Sequence, residues 1–79
     1  MQAFFPLSQS KLRAPARIVS FRGDEALTAQ LQEQGFATGE TVEVQSRGLF
    51  GGSPLAVRLG RTVIALRKSE ADALMVEPV

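Results

Sequence analysis

Between Thr41 and Leu66 apolar and polar residues alternate with a period of two, and this pattern restricts the chain to paired β-strands. In Thr41-Val42-Glu43-Val44-Gln45-Ser46-Arg47, Val42 and Val44 fall on one face. In Leu55-Ala56-Val57-Arg58-Leu59, the inward set is Leu55, Val57 and Leu59. Gly60-Arg61 then joins this run to Thr62-Val63-Ile64-Ala65-Leu66 through two residues with glycine first, the signature of a type II′ hairpin. A glycine-rich loop, Gly48-Leu49-Phe50-Gly51-Gly52-Ser53-Pro54, is expected between the first two runs.

The flanks supply two more strands and a helix. Ala16-Arg17-Ile18-Val19-Ser20-Phe21 places β-branched residues in its middle, with Pro15 tolerated at its start. Asp24 is a good N-cap, and Leu27 and Leu31 lie four apart on one helical face. Gly35 fits the left-handed position past the helix end, with Phe36 returning to touch Leu31. Thr38-Gly39-Glu40 reads as a turn. Ser69-Glu70-Ala71-Asp72 matches a capping box and predicts one helical turn before a last strand, Leu74-Met75-Val76-Glu77. Residues 1–14 read as an irregular lead-in whose Phe4, Phe5, Leu7 and Leu12 cover one end of the core, and where Ser8 or Ser10 caps a short turn. The expectation is a mainly β chain: one small barrel domain over residues 1–79, closed so that no strand edge is left free. It has about five strands, a short helix after the first and a helical turn before the last.

Composition narrows the chemistry. Seventy-nine residues build a thin core with little volume to give up to a deep pocket. There is no cysteine and no histidine, so disulfides, thiolate sites, imidazole ligands and a histidine base are all absent. Serine and threonine have no partner to activate them, so no catalytic residue is assigned. The carboxylates are scattered, and capping and solvation account for each, so neither a metal site nor a cofactor is assigned. Nine basic and eight acidic residues read as interspersed along the chain. Arg67-Lys68 is the only adjacent basic pair, which argues against nucleic-acid binding. No run is long enough to span a bilayer, and the start lacks a signal-peptide pattern, so a cytoplasmic protein is expected.

The glycine-rich loop is the one place where function surfaces. It lacks the phosphate-loop pattern and opens a strand rather than a helix. Leu49 and Phe50 are apolar where a purely structural turn favours polar residues. Either Phe50 folds back over the barrel end, or Leu49, Phe50, Gly51 and Gly52 contact a partner. Arg47 and Arg58 join that site if they point outward beside it, as the alternation suggests. A proline-peptide groove is not expected, because there is no Trp and no Tyr.

The order of features resembles the FeoA family. It runs Ala16-Arg17-Ile18-Val19, Gly23-Asp24, a helix ending Leu31-x-x-x-Gly35-Phe36, then Gly39-Glu40-x-Val42-Glu43-Val44. Phe50-Gly51-Gly52-Ser53-Pro54-Leu55, Ile64-Ala65-Leu66-Arg67 and Ser69-Glu70-Ala71 complete it, so the resemblance covers residues 7–77. It implies an SH3-like barrel that acts in the cytoplasm with FeoB, the membrane ferrous iron transporter that carries a cytoplasmic GTPase domain. It also brings a general association with transition-metal binding. A similar barrel ends the metal-dependent repressors of the DtxR type; the resemblance is to that barrel and implies a free-standing module without their DNA-binding and metal-sensing parts. Two other readings stay open: a self-associating module, and a weak metal-binding protein serving iron transport.

Overall fold

The computed structural model describes residues 4–79. Its strands are β1 (Phe5–Pro6), β2 (Ala16–Phe21), β3 (Thr41–Gly48), β4 (Gly52–Leu59), β5 (Thr62–Leu66) and β6 (Leu74–Pro78). Its helices are α1 (Glu25–Glu33) and α2 (Lys68–Ala71), with a 3₁₀ turn at Leu7–Gln9. All strands pair antiparallel in one sheet of order β1-β6-β2-β3-β4-β5.

The alternation reports the core correctly. Val42, Val44, Leu55 and Val57 are buried with Ile18, Leu66, Leu74 and Val76, and Leu59 packs partly against them. Gly60 takes φ 62° while Arg61 stays out of the left-handed region, as a type II′ turn requires. α1 forms as its local signals dictate. The Asp24 side chain accepts from the Leu27 N–H at 2.8 Å. At the other end the Phe36 N–H donates to the Leu31 carbonyl and the Gly35 N–H to that of Gln32, with Gly35 at φ 108°. This is a Schellman ending, and its Phe36 and Leu31 side chains both lie in the core.

Four expectations need correction. The lead-in is not wholly irregular: Phe5 and Pro6 pair with Val76 and Met75 as a sixth strand. Of its four apolar residues Leu7 is buried and Phe5 packs partly on the core, but Leu12 and Phe4 are exposed; positions 1–3 lie outside the described residues. Second, α2 starts earlier than the capping-box pattern placed it. Glu70 reaches back to accept from the Arg67 N–H at 2.7 Å, so Arg67 is the N-cap and Ser69 lies inside the turn. Third, β3 and β4 run further into the glycine-rich segment than the alternation indicates.

Fourth, the sheet is not closed, because β1 and β5 end the strand order without pairing. β1 has only two residues, and Pro6 has no N–H to donate. Instead α2 touches β4 and β5 on one side and the 3₁₀ turn on the other. Side-chain hydrogen bonds tie these pieces together. The Ser8 hydroxyl donates to the Asp72 carboxylate, and the Lys68 N–H donates to Ser53 Oγ at 3.1 Å.

Candidate interaction surface

The segment expected as a loop is the tip of a long β3–β4 hairpin. Phe50 and Ser53 exchange main-chain hydrogen bonds of 3.3 and 3.2 Å across Gly51-Gly52. Gly51 and Gly52 take φ 65° and 89°, so both central residues are left-handed, as a type I′ turn demands. Gly48 answers a different constraint. A Cβ there would stand 2.3 Å from the Ser53 carbonyl oxygen, so only glycine admits the returning strand.

This geometry puts two apolar side chains into solvent. Leu49 is 97% exposed and Phe50 84% exposed. Phe50 therefore does not fold back over the barrel end. With Gly51 and Gly52 these residues form one exposed apolar tip on a hydrogen-bonded hairpin turn.

The two arginines behave differently. Arg47 Nη1 donates to the Ser8 carbonyl at 2.8 Å, and Nη2 donates to that of Ser10. Its guanidinium holds the lead-in against β3, so Arg47 positions the fold beside the tip. Alternation could not disclose this, because a period of two gives a side chain's face and not its reach. Arg58 is exposed on β4 but pairs in register with Glu43 and Val63. It lies six positions along β4 from Gly52, about 20 Å of extended strand, so it does not sit beside the tip.

The concave surfaces lie elsewhere. A groove of about 430 Å³ is lined by Phe5, Lys11, Ala14, Pro15, Ala16 and Pro78, among others. It holds no carboxylate and none of the expected contact residues. Among the described residues no three Asp or Glu side chains converge as metal ligands would. No helix among them is long and apolar enough to cross a membrane.

Comparison with known proteins gives a consistent picture. The model of the FeoA domain matches residues 5–78. The FeoA of Stenotrophomonas maltophilia, solved with zinc and described as a prokaryotic SH3 domain protein, is 37% identical. That match covers 92% of this chain and 89% of that one, with a TM-score of 0.79. Iron(II) transport protein A of Clostridium thermocellum is 35% identical over 95% of this chain and 46% of that one, at TM-score 0.86. A manganese-dependent transcriptional repressor shares the fold at TM-score 0.88 and 14% identity, with this chain spanning 44% of it. No curated protein matched by sequence. The fold is thus SH3-like, and the chain belongs to the FeoA family, which is associated with ferrous iron transport.

Proposed function

We propose that the protein is a cytoplasmic accessory factor of ferrous iron uptake. It binds the GTPase domain of an FeoB-type transporter and modulates that transporter's activity or assembly. The exposure of Leu49 and Phe50 carries the reading. Two large apolar side chains held in water at a hairpin tip give the fold nothing, and aromatic residues on such protrusions are the anchors that interfaces use. The S. maltophilia relative, described as a candidate ferrous iron transport activating factor, supports a regulatory role. Contact is assigned to Leu49, Phe50, Gly51 and Gly52. Arg47 acts indirectly by steadying the base of the tip, and Arg58 lies outside this contact.

The test is a backbone-amide NMR titration of the protein with the soluble GTPase domain. Shifts clustered on residues 48–53 are expected. Shifts elsewhere would keep the partner and discard the tip, and no shift at high concentration would count against the partner itself.

A further inference from the structure

We propose that the outer edge of β5 is a docking site for an extended, acidic segment of a partner protein, which adds there as a further strand. This does not depend on the identity of the transporter partner. The turn Leu59-Gly60-Arg61-Thr62 makes Leu59–Thr62 a hydrogen-bonded pair, and such pairs alternate along an antiparallel ladder. Val57–Ile64 and Leu55–Leu66 are therefore bonded too, and the peptide groups of Val63 and Ala65 turn away from β4. No main-chain hydrogen bond outside the ladder reaches either residue among the described residues. Their side chains are also in solvent, Val63 at 57%.

The two sheet edges are not equivalent. β1 is blunted by its length and by Pro6, the usual protections of an edge. β5 has five residues, no proline and no charge within it. It offers a strand-sized row of donors and acceptors beside exposed apolar side chains, the arrangement that strand addition uses.

Charge selects the occupant. Residues 44–69 contain Arg47, Arg58, Arg61, Arg67 and Lys68 and no acidic residue, so the signs are not interspersed here as they read along the whole chain. Arg61 and Arg67 flank β5, and Arg58 stands opposite Val63 on β4. None of these three arginines forms an ion pair among the described residues. A second copy fits badly. Antiparallel pairing centred on Ile64 uses both free peptide groups but sets the Arg61 and Arg67 positions of the two copies opposite one another. A strand with acidic residues at those places meets the same arginines favourably.

The probe is a short synthetic peptide alternating valine and glutamate, with a valine–lysine peptide of equal length as control, each titrated into the intact protein. The glutamate peptide is expected to shift amides 62–66 and to slow hydrogen exchange at Val63 and Ala65, while the lysine peptide does neither. Val63→Pro removes an outward N–H without touching the ladder and is expected to weaken binding by up to about tenfold. A double variant, Arg61→Glu with Arg67→Glu, leaves the strand intact and is expected to exchange the preference to the lysine peptide. The proposal is overturned by equal response to both peptides, by shifts only outside β5, or by no shift at the glutamate peptide's solubility limit. Concentration-dependent broadening of residues 62–66 without peptide would also overturn it, by making a second copy the occupant.

Discussion

Gly48 and Phe50 stand two residues apart on one hairpin and answer to opposite pressures. Gly48 has no freedom, because the Ser53 carbonyl oxygen fills the place of its Cβ. Gly48→Ala must push β3 from β4 at the base of the tip, and overpacking of that kind costs about 1–3 kcal/mol. Urea unfolding should show a lowered midpoint with little change in slope. Phe50 is the reverse case, since the fold does not contact most of its ring. Phe50→Ala should change stability by no more than about 0.5 kcal/mol, as surface substitutions do. It should weaken the complex with the GTPase domain by about 2 kcal/mol or more if the ring is an anchor. Calorimetry and unfolding on the same sample separate the two effects; a large stability loss with normal binding would sink the contact role.

At the scale of elements, legibility followed locality. α1 was readable end to end because each signal acts within a few residues: Asp24 on Leu27, Phe36 on Leu31. Asp24→Ala should therefore destabilise the protein by about 1 kcal/mol, seen as a shifted urea midpoint and faster exchange of the Leu27 amide. β3, β4 and β5 were readable because their core-facing residues recur every second position: Val42 and Val44, Leu55, Val57 and partly Leu59, and partly Ile64 with Leu66. β1 was not, since two residues hold no period, and its pairing with β6 joins segments about 70 positions apart. The start of α2 was misplaced for a related reason. A Ser-x-x-Asp pattern was present, but Glu70 formed the effective bond, and Asp72 took a distant partner in Ser8. The tip was half legible. Its apolar residues stood out against turn chemistry, while their exposure depended on how Gly48, Gly51 and Gly52 shape the backbone.

Along the sequence, charge is separated behind a net charge of +1. Residues 44–69 carry five basic and no acidic side chains, while the remainder carries four basic and eight acidic. Exposed basic residues that form no ion pair among the described residues, such as Arg58, Arg61 and Arg67, steer an acidic partner and accelerate encounter more than they tighten the final complex. Leu49 and Phe50 belong to the same stretch of sequence, with the Lys68 N–H bonded to Ser53 Oγ near the tip and Arg58 and Arg61 at the far end of β4. The two contributions should separate kinetically. Association with the GTPase domain should slow as salt rises, because the screening length falls from about 10 Å at ~0.1 M to about 3 Å at ~1 M. Replacing Arg58, Arg61 and Arg67 with glutamine should flatten that dependence while leaving dissociation nearly unchanged. Phe50→Ala should do the opposite, keeping the salt slope and speeding dissociation, since anchors act chiefly on the off-rate. Stopped-flow kinetics across a salt series distinguishes these patterns, and an association rate indifferent to salt would mean that Arg58, Arg61 and Arg67 play no part in the encounter.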